Sequence, residues 1–179
     1  EDLLADMYNI TRNFFYALLP TATPYSRNAI FSGLYPSQIK EKYPDYWLEK
    51  SKDEESGKNR FENELMQEQL RTKGYGKISS KYIKIYSNDE ANNIRRQIDT
   101  YKSLDLVSIV VNFLDLLSHG RSQNRILREI APDESAFRSL MKSWFLHSAT
   151  FEILQKIARQ DAVVVITTDH GSVLCRKAA

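Results

Sequence analysis

Apolar residues recur at helical spacing in EDLLADMYNITR, where Leu3, Leu4 and Met7, joined by Ile10, share one side of a predicted helix. NFFYALLP is instead a short continuous apolar run closed by Pro20 and predicts a buried strand. A helical run over Tyr25–Ser32 follows, carrying Ala29, Ile30 and Phe31, with Gly33 as its stop and Thr23 at its start. Residues Glu49–Arg60, EKSKDEESGKNR, are almost wholly charged or small and predict a solvated, flexible loop, after which FENELMQEQLRTKG predicts a helix ending at Gly74. KYIKIYS alternates like a strand, NDEANNIRRQIDTYKSL opens like a helix, and DLVSIVVNFLDLLSHG begins with a β-branched run suited to a strand buried on both faces. The longest helical pattern, PDESAFRSLMKSWFLHSATFEILQKIARQ, opens with Pro132 and acids, and DAVVVITTDHG closes the series as a fully apolar strand. Strands alternating with helices predict an α/β fold with a mostly parallel sheet, and no internal repeat is evident.

A length of 179 residues fits one domain, residues 1–179, with a sizeable core. The 25 basic and 23 acidic side chains leave a formal charge of only +2, which excludes a nucleic-acid-scale electrostatic footprint but not a locally basic cleft. The single cysteine, Cys175, has no partner for an internal disulfide, and neither a signal-peptide pattern nor a membrane-length apolar run is present. The expectation is a soluble, cytoplasmic chain with no membrane partner. Its ends read as cut, since residue 1 opens straight into amphipathic sequence and VLCRKAA stops soon after a strand-like run. A fragment is therefore expected.

Both apolar runs near the C-terminal half deliver the same residue types. SIVVNFLDLLSHG supplies Asp115 and His119, and AVVVITTDHG supplies Asp169 and His170, each just beyond a strand, where open parallel sheets hold ligands. Asp oxygen with His nitrogen suits zinc or manganese, and the lack of ligand cysteines argues against a structural zinc knot. Either pair taken alone reads more readily as a turn or cap beside glycine than as a site. His147, inside the long helical pattern near Trp144 and Phe151, reads as packing or a local hydrogen bond. Thr23 is open to two readings: an N-cap, a role Thr21 could share, or a nucleophile placed where helix N–H groups and the helix dipole attract phosphate. Arg27, one turn on, suits either solvent or the clamping of a phosphate oxygen.

These residues resemble the alkaline phosphatase superfamily, whose nucleotide pyrophosphatase/phosphodiesterase branch has a Thr-containing turn, a helix and then Gly-Leu-Tyr-Pro. Thr23 is followed ten residues later by Gly33 in SGLYP. Asp115 with His119 resembles the superfamily's Asp-x-x-x-His, and Asp169-His170-Gly171 its later Asp-His-Gly. More narrowly, TATPYSRNAIFSGLYP and TTDHG resemble the PglZ domain that serves as the output module of PorX-type response regulators, which control a bacterial (type IX) protein secretion system. The likeness is strongest over Phe14–Tyr46, Asp105–Gly120 and Asp161–Ser172.

The resemblance implies an alkaline-phosphatase-like core and two zinc ions, with manganese as the other option. Thr23 would be the metal-bound nucleophile, Asp169 and His170 ligands of the same ion, Asp115 and His119 ligands of a second, and Arg27 a phosphate contact. Thr23 would be transiently phosphorylated and then freed by water. The implied substrate is a phosphodiester such as a cyclic or linear oligonucleotide. A regulatory docking module for a sensor kinase, sigma factor or secretion component, and a phosphomonoesterase, are the other functions of this kind, and the oligomeric state of the parent protein stays open, a homodimer being one option. The superfamily has a further ligand Asp before the nucleophile and a further His after the Asp-His pair. Neither lies in this sequence, so both are expected beyond its ends, the fragment alone is expected to be inactive, and VLCRKAA does not continue the family pattern.

Overall fold

The computed structural model describes residues 2–48, 57–113, 117 and 124–171. In chain order the described elements are helices α1 (Thr23–Ser32), α2 (Pro36–Lys42) and α3 (Glu62–Thr72), strand β1 (Ser80–Ile85), helix α4 (Asn88–Gln97), strand β2 (Leu106–Val111), and helices α5 (Arg125–Ile130), α6 (Glu134–Leu146) and α7 (Ala149–Ile157). Short 3-10 segments lie at Pro44–Tyr46 and Ile98–Ser103. This is an α/β fold with a small parallel sheet. The chain forms two compact units, one of Glu1–Thr11 with Ser79–Val164 and the other of Arg12–Ile78 with Val165–Ala179.

The first unit is built on the two strands that alternation and β-branching predict. β1 and β2 pair in parallel from Ser80 opposite Leu106 to Ile85 opposite Val111, and α4 with its following turn makes the crossover that a parallel pair requires. A capping box starts α4: Ser87 Oγ accepts from the Glu90 amide at 3.2 Å, and Glu90 Oε2 accepts from the Ser87 amide at 3.2 Å. Ile83, Ile85, Ala91, Ile98, Tyr101, Ala149 and Ile153 form the core, so both strands, α4 and α7 close on one apolar cluster. Asp105 fastens the entry to the strand pair. Its Oδ2 accepts from both the amide and the hydroxyl of Ser79, each at 2.7 Å.

The second unit packs α1 on α3 around the fully buried Leu65 and the nearly buried Met66, and Ile39 of α2 is fully buried as well. Gly33 ends α1 in the left-handed region, φ +65°, where its N–H reaches the Ala29 carbonyl at 2.8 Å.

Several expectations change. Residues 2–7 form turns in which the Leu4 carbonyl accepts from the amides of Met7 and Tyr8, rather than the predicted helix; one turn does not recover the cost of helix nucleation. NFFYALLP and the run at 162–168 are not strands, and Tyr16 is 102% and Val163 94% exposed. Strand identity needs a hydrogen-bonding neighbour, and among the described residues only β1 and β2 pair. β2 is half-buried along its length rather than buried on both faces. The longest helical pattern splits at His147 and Ser148, because Ser148 Oγ accepts from the Phe151 amide at 3.1 Å and so starts a new helix, while it also donates to the Phe145 carbonyl at 2.7 Å. Of the predicted loop at 49–60, residues 49–56 lie outside the described residues; residues 57–60 form a turn in which Asn59 is fully buried, not solvated.

Ser79 holds the Asp105 carboxylate below the ordinary aspartate value of 3.8, first through its hydroxyl and then through its amide. A depressed folded-state value means that the clamp contributes stability above pH 3.8, and that this contribution is lost as pH falls through the folded value. Asp105→Asn is expected to lower the urea midpoint at neutral pH and to converge on the wild type below that range. Parallel curves at both pH values would show that the carboxylate's charge is not what fastens the strands.

Candidate active site

Thr23 is the first residue of α1, one position inside the helix. The N-cap is Ala22, whose side chain has no oxygen to offer, and Pro24 occupies a first-turn position where a missing N–H costs no helix bond. The cap reading of Thr23 is therefore not what the fold uses. Its Oγ1 instead lies 3.1 Å from His170 Nε2. The Gly171 carbonyl is 2.9 Å from His170 Nδ1, so Nδ1 is the nitrogen that donates there and Nε2 is the one that meets the threonine hydroxyl. The start of α1 adds the partial positive charge of its N-terminus to this position.

Asp169 sits beside this contact. Its Oδ1 accepts from the His170 amide at 3.1 Å, and its Oδ2 lies 3.7 Å from His170 Nε2, with both side chains largely covered. Donor atoms on a tetrahedral zinc stand about 3.3 Å apart for bonds of about 2.0 Å. The separations of 3.1 and 3.7 Å bracket that edge, and the Gly171 contact on Nδ1 is the kind of outer hydrogen bond that orients a ligating imidazole. Thr23, Asp169 and His170 are thus the residues that could hold a divalent metal here, two of their donor separations being compatible with one shared ion. Among the described residues no group of three or more His, Cys, Asp and Glu side chains gathers, at this site or elsewhere. Asp115 and His119 lie outside the described residues.

Arg27 faces a carboxylate. Its Nε donates to Glu62 Oε1 at 2.6 Å and its Nη2 to Glu62 Oε2 at 3.2 Å, a forked pair joining α1 to α3 with the glutamate side chain fully buried. Beside it lies an amide pair that sequence reading missed. Asn59 Nδ2 donates to the Thr23 carbonyl at 3.4 Å and to Asn28 Oδ1 at 3.3 Å, and Asn28 Nδ2 donates to the carbonyls of Pro24 at 2.9 Å and Lys58 at 3.0 Å. The one sequence signal was Asn28 itself, a poor helix former in mid-helix. Of the tyrosines near this site in sequence, Tyr25 packs on Trp47 with ring centroids 5.9 Å apart and Tyr46 on Phe61 at 5.3 Å, while Tyr35 is exposed. His147 makes the local bond expected of it, Nδ1 to the Ser143 carbonyl at 2.7 Å.

Glu62→Ala is expected to destabilise the protein by about 3 to 5 kcal/mol in urea unfolding, because it strips a largely buried guanidinium of its carboxylate. Glu62→Gln, which keeps an acceptor of the same shape, is expected to cost less. Equal losses would mean that the carboxylate's charge accounts for the whole effect and that a neutral acceptor of the same shape contributes nothing.

The whole chain, residues 1–179, matches the family model described as the BREX system PglZ alkaline phosphatase-like domain. No curated protein matches it. No helix among the described residues is long and apolar enough to cross a membrane.

Proposed function

Because the chain belongs to the PglZ family of alkaline phosphatase-like domains, we propose that it is a metal-dependent phosphodiesterase domain with Thr23 as nucleophile. The observation that carries this reading is the approach of Thr23 Oγ1 to His170 Nε2 at 3.1 Å at the start of a helix, beside Asp169. The family supports phosphoester hydrolysis as the class of reaction. Zinc is the proposed ion, with manganese able to replace it: Asp169, His170 and Thr23 would hold one and, by the superfamily resemblance, Asp115 and His119 a second, and when bound they would supply Lewis acidity for the hydroxyl and the phosphoryl oxygens.

The chain's own residues account for the rest. Thr23 Oγ, having given up its proton to solvent, forms a bond to phosphorus while the bond to one ester oxygen breaks, and that oxygen leaves with the electron pair and takes up a proton from solvent. The threonine phosphoester is then cleaved by water, which restores the hydroxyl and releases a phosphomonoester. Charge that develops on the phosphoryl group is favoured at the N-terminus of α1. His170, held by the Gly171 carbonyl, and Asp169, held by the His170 amide, have Nε2 and Oδ2 3.7 Å apart, the two atoms that would face the ion.

The PorX-type resemblance supports an oligonucleotide diester as substrate, and with it a role as the output domain of a response regulator in the control of secretion. In the full-length protein with added zinc or manganese, a chromogenic diester is expected to be hydrolysed faster than its monoester, and chelator to stop turnover. Thr23→Ala is expected to cut turnover at least about 1,000-fold with metal content largely retained, whereas Asp169→Ala lowers both. Undiminished activity in Thr23→Ala would remove the covalent route. No turnover of either ester with metal bound would leave the docking module.

A further inference from the structure

The first turn of α1 is held by side chains that do not belong to that turn. A helix start is ordinarily fixed by its own cap, and here the N-cap is an alanine without a side-chain hydrogen bond. In its place Asn59, fully buried, puts one N–H on the Thr23 carbonyl and the other on Asn28 Oδ1, and Asn28, 2% exposed, puts both of its N–H groups on the carbonyls of Pro24 and Lys58. Two successive peptide groups, those of Thr23 and Pro24, are thereby tied to the turn at Lys58 and Asn59. The forked Arg27 to Glu62 pair ties the next part of α1 to the start of α3, just beyond the same turn.

We propose that Asn59 is a positioning residue for the Thr23 hydroxyl. The inference rests on the reading of Thr23 as nucleophile. Threonine is β-branched and stiff at χ1, so the plane of its own peptide largely decides where Oγ1 points. Asn59 fixes that plane from the carbonyl side, while His170 Nε2 meets Oγ1 from the other end of the residue. The asparagine acts on the backbone carbonyl and not on the reacting atoms, so it is not itself catalytic. Its loss leaves the nucleophile present but less well aimed, and an error of about 1 Å at a reacting group costs on the order of 100-fold in rate. A purely structural role would show itself as lost stability without that loss of rate.

The test uses the full-length metal-loaded protein and two variants. Asn59→Asp keeps the shape and removes both donors, and Asn59→Ala removes the group altogether should the aspartate prevent folding. Ser148→Ala serves as the comparison, since it removes a buried polar group from the other unit. The expected result is a fall in kcat of about 10- to 100-fold with KM changed less than about twofold and metal content kept, while Ser148→Ala lowers the melting temperature and leaves kcat unchanged. In the metal-free protein, the ¹⁵N resonance of His170 Nε2 is expected to move in both Asn59 variants and not in Ser148→Ala. A kcat loss no larger than that of Ser148→Ala, or a rise confined to KM, would overturn the proposal. Should the wild type hydrolyse neither ester, the phosphodiesterase reading falls by itself, and the His170 resonance alone decides whether Asn59 sets the place of the Thr23 hydroxyl: a shift upholds it and an unmoved signal overturns it.

Discussion

The forked pair between Arg27 and Glu62 is the contact on which the second unit is organised. Taking a carboxylate out of water costs several kcal/mol, and the cost is offset only when the partner meets it squarely, as the two parallel N–H to oxygen bonds do here. Such a pair adds little net stability compared with a well-packed apolar substitute, but it is directional. Leu65 and Met66 would tolerate α1 sliding by a fraction of a turn on α3, whereas a guanidinium and a buried carboxylate would not. Register along α1 follows from this pair, and Thr23 sits four residues from it on the same helix, so the place of the Thr23 hydroxyl depends on a charge pair that never touches it.

The amide cluster extends the same logic to shorter range. A buried side-chain amide is costly unless its donors and acceptor find partners, and Asn28 finds one for its oxygen and two for its nitrogen. Together the ion pair and the amides make the start of α1 rigid from beneath, and leave its Thr23 hydroxyl turned to His170. The first unit uses another device. There Asp105 bridges to Ser79 at the mouth of a two-strand parallel pair, and the apolar cluster of α4 and α7 covers the sheet.

What could be read from sequence follows from how local each signal is. Alternation in KYIKI, the Ser87 and Glu90 box and the glycine after Ser32 act within a few residues, and β1, α4 and α1 stand where those signals put them. The break at Ser148 was hidden because apolar spacing runs through it, and only the serine's bond to the Phe151 amide marks a new helix. The runs around Phe14 and Val163 look like strands because apolar composition records burial, while pairing depends on a distant neighbour that composition does not encode. That Thr23 would lie with Asp169 and His170 was expected from the family resemblance, since no local signal links positions so far apart in sequence. Arg27 was legible as a special arginine, but its partner lies 35 residues away in a stretch of unremarkable charges, and Asn59 was lost in that same charged run.

Gly33 carries a consequence for how such chains are recognised. Its φ of +65° is a conformation glycine adopts without strain, and a Cβ there would also come within 2.5 Å of the Gln69 amide nitrogen. The glycine in SGLYP thus answers first to the left-handed corner that ends α1 ahead of α2, since the Gln69 amide is the end of a flexible side chain and can move aside. The most recognisable signature in the sequence therefore reports a backbone corner, and it speaks separately from Thr23, ten residues upstream of it.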